Sequence, residues 1–274
     1  MNISAMLEQS LDLLPFTLLD VETTGLLPAE GHRVCEVALL RVRGGVVEAC
    51  FETLIDPQRP LDPQAFAVNG ISSTILHDAP RFPAVVDTLM ELIDGTVLVA
   101  HNAPFDLVFL THELALLGRP APLNPMLDTL SLARRLLRHQ SYSLAALARD
   151  LNLPQPTHRA MSDVLALQGL FACLVNHLAE SGITTLNGAL RRQRGLLPDQ
   201  PDPVPPPAIA RAISEGRRLR IVYSSRSTVI PIERIIQPIE LTQGRSGIFL
   251  RAYCYLRNDL RSFALTRIEA MELE

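Results

Sequence analysis

The chain has 274 residues, 47% of them hydrophobic, with a formal net charge of −4, which suits a soluble globular protein of one or two domains. No apolar run approaches the ~20 residues of a bilayer span, and residues 1–14 carry Glu8 and Asp12 without a basic leader, so a cytoplasmic protein with no membrane association is expected. All 25 basic residues are Arg, and the four cysteines (Cys35, Cys50, Cys173, Cys254) form no metal-type pair and read as reduced thiols.

In chain order, Phe16-Thr-Leu-Leu-Asp20-Val-Glu22-Thr-Thr-Gly25 is an apolar run closed by glycine, the pattern of a buried strand. Residues two apart share a face of a strand, so Asp20 and Glu22 stand side by side at its end. Adjacent carboxylates repel, the more so when buried. A hard cation between them, Mg²⁺ or Mn²⁺, removes the conflict; a solvated acidic strand end is the plain alternative. Strands at 34–42 and 46–54 follow, with Gly44-Gly45 as hairpin turn. The pattern then predicts helices at 84–93, 104–117, 129–137, 143–151 and 160–180, and a strand at 97–101. Strands joined by short turns, then strands alternating with helices, predict an α/β unit with a mixed sheet and flanking helices.

Val99-Ala-His101-Asn102-Ala-Pro-Phe-Asp106 puts an acid in the first turn of a helix at the carboxyl end of a strand, where ligand sites of α/β sheets gather. A helix-start acid favoured by the dipole is the other reading of Asp106. His158 and Asp163, if both helical, would point about 140° apart. Pro154 and Pro156 favour an extended loop as far as Thr157, which leaves His158 on the loop and Asp163 on the helix behind it. A loop histidine facing a fixed acid suits a general base beside a metal site; an exposed loop histidine is the alternative.

Residues 198–207 hold six prolines in ten positions and form an extended spacer. The predicted division is 1–185, a linker at 186–207, and 208–274. Residues 1–207 hold 14 Arg and 22 acids, net −8; residues 208–274 hold 11 Arg and 7 acids, net +4. The basic part reads as one helix at 208–215, then β segments at 220–224, 229–239, 247–256 and 262–269, a small twisted sheet or barrel.

Four motifs occur in order: Leu19-Asp20-Val-Glu22-Thr23-Thr24-Gly25, His101-Asn-Ala-Pro-Phe-Asp106, Leu127-Asp128-Thr-Leu130 and His158-x4-Asp163. With Phe66-Ala-Val-Asn-Gly-Ile71 and Ser143-Leu-Ala-Ala-Leu147, they resemble the DEDDh 3′–5′ exonucleases, the family of the proofreading epsilon subunit of bacterial DNA polymerase III. The resemblance covers about residues 14–182 and implies an RNase H-like fold. It implies two divalent ions, Mg²⁺ or Mn²⁺, on Asp20, Glu22, Asp106 and Asp163, with His158 as base. The implied reaction releases 5′-mononucleotides from the 3′ end of a nucleic acid, with DNA, and single-stranded DNA in particular, favoured. By the same resemblance Thr23, Thr24, Leu26 and Phe105 shape the pocket for the terminal nucleotide, core packing being the other reading of Leu26 and Phe105. Asp128 matches a family position outside the four ligands and reads as a helix cap; Asn69 stands where relatives often carry His.

The run from Gly247 to Ile268, with Leu219-Arg-Ile-Val-Tyr223-Ser upstream, resembles a WYL domain over residues 208–274, although Ile248-Phe249-Leu250 replaces the naming tripeptide. That resemblance implies an Sm- or SH3-like β-barrel, often regulatory and able to bind nucleic acid or a small ligand. Candidate contacts for a strand or a small nucleotide are Tyr223, Arg245, Arg251, Tyr253, Arg257 and Arg261, since Arg with interleaved Tyr suits phosphate binding and base stacking. An Arg-decorated barrel with core tyrosines is the alternative. The expected protein is a two-metal 3′–5′ exonuclease whose WYL-like domain binds the strand or regulates activity; a non-catalytic sensor on a nuclease fold is the second reading.

Overall fold

A short helix, α1 (Ile3–Leu7), leads into β1 (Pro15–Thr23), the middle strand of the first sheet. This computed structural model describes residues 3–225, 230–257 and 259–274. β2 (Val34–Arg43) and β3 (Val46–Leu54) continue antiparallel from β1. Gly44 and Gly45 turn between them at φ +55° and +81°, the left-handed geometry a two-residue hairpin needs and glycine takes without strain. Next come α2 (Pro63–Asn69), α3 (Ser73–His77), α4 (Phe82–Ile93), β4 (Val97–Ala100), α5 (Ala103–Leu116), β5 (Met126–Asp128), α6 (Thr129–Leu136), α7 (Leu144–Asp150), α8 (Ala160–Glu180) and α9 (Leu186–Gln193). The strands pair in the order β3-β2-β1-β4-β5, with β1–β4 and β4–β5 parallel.

Side-chain alternation along β1 sorts the core into two layers. Phe16 and Leu18 face α8, where Phe16 meets Phe171 edge-on at 4.9 Å. Leu19 and Val21 face α4 and α5. Asp20 and Glu22 continue the Phe16–Leu18 face, so the pleat aims both acids at the α8 side. α8 is long and apolar enough by length and composition to cross a bilayer, contrary to the sequence expectation. Its first turn holds Asp163, and Leu167, Leu170, Phe171, Leu174 and Leu178 are buried in the core it shares with the sheet, which accounts for its apolar character.

The chain divides into two compact units, Met1–Gln193 and Arg194–Glu274. Segment 186–193, assigned to the linker by sequence, is α9. Its Leu186 and Ala189 are fully buried in the same core as Leu18, so one face of the helix belongs to the first unit.

In the second unit, α10 (Pro207–Glu215) precedes β6 (Leu219–Tyr223), β7 (Ile232–Gly244), β8 (Gly247–Cys254), β9 (Asp259–Ala264) and β10 (Ile268–Leu273). They form an antiparallel sheet in the order β10-β6-β7-β8-β9. The strand predicted at 229–239 begins on a residue outside those described and runs on to Gly244. Its first half pairs with β6 and its second with β8, across a bulge between Pro238 and Glu240; such a bulge bends a strand and raises its twist. Among the described residues no pairing joins the two edge strands, and the sheet covers a core of Ile209, Leu219, Ile236, Leu250 and Phe263.

Candidate active site

Three elements bring four carboxylates to one end of β1. Asp20 and Glu22 come from the strand itself. Asp106 lies in the first turn of α5 and is buried, its Oδ1 accepting the Val21 N–H at 3.2 Å, between the two β1 acids. Asp163 lies in the first turn of α8, and its Oδ1 accepts the backbone N–H groups of Thr157 and His158, both at 3.0 Å. His158 is on the preceding loop, exposed, at φ +58°. One ligand atom from each of Glu22, His158 and Asp163 lies within 4.8 Å of the other two.

The electrostatics are those of an uncompensated anionic cluster. Burial pushes Asp20 well above the usual carboxylate range, and Asp106, Glu22 and Asp163 push it further. Glu22 is pushed up to about 8, first by burial and then by Asp163, while a hydrogen bond from Asn69 pulls it back. Burial likewise raises Asp106, against the pull of the Val21 N–H, and raises Asp163, against the N–H of Thr157. Packed oxygen donors that repel one another, with one imidazole at the rim, fit hard divalent cations.

The supports of this cluster were hidden in the sequence. Glu36 on β2 is registered opposite Glu22 and buried. Its carboxylate accepts from Arg159 Nη2 at 2.6 Å and from the N–H of Ala160, the first residue of α8, at 2.9 Å. That pair closes the start of α8 and sets both His158 and Asp163. An acid in the middle of the apolar run 34–42 was the one available signal. Asp128 caps α6 through the Leu130 N–H and also accepts the Asn102 N–H at 3.0 Å, where Asn102 turns left-handed (φ +70°) to launch α5. It therefore supports Asp106 as well as capping its own helix. Asn69 is buried; its Oδ1 accepts from the Ile71 N–H at 3.0 Å and its side chain bonds Glu22.

The four residues expected to shape a nucleotide pocket separate into two pairs. Thr23 donates to the Gly25 carbonyl at 2.6 Å, and Thr24 lies between the His32 Nδ1 (3.2 Å) and the Arg33 N–H (3.0 Å), so both hydroxyls are used inside the loop. The His32 ring packs so close to Gly25 that a Cβ there would run into it. Leu26, by contrast, is 73% exposed, and Phe105 is partly buried against Phe109 at 5.1 Å.

The six candidate contacts of the second unit do not form one cluster. Tyr223 packs edge-on against core Phe263 at 5.0 Å. Arg251 and Tyr253 share a face of β8, with Arg251 held by Glu240 at 3.2 Å, whereas Arg261 is registered against Ala252 on the other face. Arg245 and Arg257 are exposed at opposite ends of β8. The sequence missed Arg218, stacked 4.4 Å over the Tyr255 ring.

Residues 17–171 match the Exonuclease (RNase_T) family model, and residues 207–273 match the WYL domain model. The chain is 36% identical over 197 residues to a DNA polymerase III subunit epsilon-like protein of Rhodobacter capsulatus, covering 70% of this chain and only 28% of that protein. It is 36% identical over 162 residues to the DNA polymerase III subunit epsilon of Rickettsia felis, covering 56% of this chain and 71% of the relative. Among solved structures, Exonuclease X in complex with 5′ overhanging duplex DNA is 28% identical, with a TM-score of 0.52, over 64% of this chain and 97% of that one. A family model spanning more than half the chain, and the Rickettsia felis relative, a third identical over 71% of its own length, agree with the carboxylate geometry: the chain belongs to the exonuclease family, as a 3′–5′ exonuclease that carries a WYL domain.

Proposed function

We propose that this protein is a divalent-cation-dependent exonuclease that removes 5′-mononucleotides from the 3′ end of DNA, single strands being the preferred substrate. The observation that carries this reading is the convergence of Asp20, Glu22, Asp106 and Asp163, every one raised above its ordinary pKa, beside His158. Those four carboxylates would hold two ions, Mg²⁺ or Mn²⁺, which supply charge compensation and Lewis acidity toward the phosphodiester oxygens. His158 takes the proton of the attacking water as the P–O bond to the leaving 3′-oxygen breaks. Its ring stands at the solvent rim while its backbone is tied to Asp163. Leu26, exposed on the loop after β1, is available to the terminal base. The DNA in the Exonuclease X complex supports nucleic acid as substrate, and four free cysteines suit a reducing cytoplasm. We assign the basic WYL unit to holding the strand or to nucleotide-dependent regulation of cleavage.

The test is Asp20→Ala. Release of mononucleotides should fall by a factor on the order of 10³ or more, and the rise in melting temperature that Mn²⁺ gives the unaltered protein should vanish. Wild-type release in the variant would reject the site.

A further inference from the structure

Most arginines of the first unit pair with a carboxylate; among the described residues Arg59, whose Nη1 donates to the Glu30 main-chain oxygen at 3.3 Å, and a group on α6 and α9 do not. Arg33, Arg41, Arg81, Arg119, Arg149 and Arg159 each meet a carboxylate. Arg134, Arg135 and Arg138, at and just past the end of α6, and Arg192 on α9 meet none among the described residues. Instead, Arg192 Nη2 donates to the main-chain oxygen of Arg135 at 2.7 Å, which holds two like charges together where α6 packs on α9. Burial, and after it the charge of Arg192, hold the Arg135 guanidinium below its ordinary range. The unit around them is acidic: residues 1–193 hold 13 Arg and 20 acids, net −7. In such a unit four arginines without a carboxylate partner, three of them within residues 134–138, are poorly explained by local neutralisation, and the like charges of Arg135 and Arg192 disfavour each other.

The cluster also has a fixed relation to the carboxylate site. α6 starts at Asp128, which holds the turn that launches Asp106. The chain beyond α6 returns to His101, whose Nε2 lies 2.9 Å from the Tyr142 carbonyl. The eight residues of α6 separate its site end from its arginine end by about 12 Å, a span that a few nucleotides cover. We propose that Arg134, Arg135, Arg138 and Arg192 form a phosphate-binding track on the catalytic unit, holding the nucleic-acid strand a few nucleotides upstream of its 3′ end. The track rests on the nuclease reading above and is separate from the WYL unit.

The test compares R134Q/R138Q, which changes the two exposed members, with R43Q/R119Q, which removes equal charge from surface ion pairs elsewhere. Full-length proteins are assayed on a labelled single-stranded oligonucleotide and on the p-nitrophenyl ester of thymidine 5′-phosphate, which is too short to reach the track. R134Q/R138Q should raise KM for the oligonucleotide about five- to tenfold and lower the slope of log(kcat/KM) against log salt by about 1.4, roughly 0.7 per lost contact to a single strand. Hydrolysis of the ester should be unchanged, and R43Q/R119Q should behave as wild type. Oligonucleotide kinetics equal in the two variants would overturn the track. If the unaltered protein cleaves neither substrate, the nuclease reading fails, and fluorescence anisotropy of the oligonucleotide decides the track alone. Weaker binding by R134Q/R138Q than by R43Q/R119Q sustains it; equal binding overturns it and leaves an acidic protein as the surface's partner.

Discussion

Glu22, lifted to about 8 by burial and then by Asp163, and Asp20 and Asp106, lifted by burial, govern how the cation-free protein responds to pH. A carboxyl whose folded pKa exceeds its unfolded value stabilises most below the unfolded value, about 4, and loses that contribution as pH climbs through the folded one. The melting temperature without cations should therefore fall between about pH 5 and pH 8. On the proposed metal-dependent reading Mn²⁺ would bind the ionised carboxylates and should restore more at pH 8 than at pH 5. Calorimetry with and without Mn²⁺ checks this, and a cation-free melting temperature that rises across the window would contradict the buried, repelling cluster. At this scale the two-residue spacing of Asp20 and Glu22 was legible because a strand's period is 2. The inward-turned hydroxyl of Thr24 was not, because its partners His32 and Arg33 are set by how the loop closes.

α8 shows what local pattern can and cannot give. Its apolar repeat announced the helix, and the upstream prolines announced the loop before it. Neither announced that Glu36, 123 residues from Arg159, would fasten its start. Removing one partner of a buried pair costs about 3–5 kcal/mol, and the half-exposed Arg159 side chain lowers the expectation to about 2 kcal/mol. Arg159→Ala should lose that much in urea unfolding and also lose kcat, because His158 and Asp163 shift together. Arg159→Lys, which keeps charge without the fork, should fall between. Full stability in Arg159→Ala would show that the pair does not fasten the helix. β5 escaped the sequence for a different reason: it is three residues long, too short to display a period. α9 was obscured by the proline-rich stretch after it.

The whole chain separates into two units with disjoint cores, one around Leu18 and Leu19 and one around Ile236 and Leu250. A chain ended at Gln193 should thus keep a cooperative melt and its hydrolysis of the thymidine ester. It should bind single strands more weakly than the full chain, with a shallower salt dependence. Anisotropy across a salt series checks the last point, and identical curves would leave the WYL unit no part in holding the strand. The change in charge and the prolines made the two-part plan legible; the strand order of the second sheet follows from long-range pairings that no local pattern records.

β1 pairs antiparallel with β2 on one side and parallel with β4 on the other. The antiparallel half is a local meander, quick to assemble, whereas the parallel half waits on long crossovers and the entropy of closing them. Asp20 and Glu22 belong to the early half, and Asp106 and Asp163 arrive with the late one. On the metal-dependent reading proposed above, the nascent protein would offer only half of the carboxylates until that docking is complete, so cations would grip only the finished molecule and act as a latch that slows its opening without hastening its assembly.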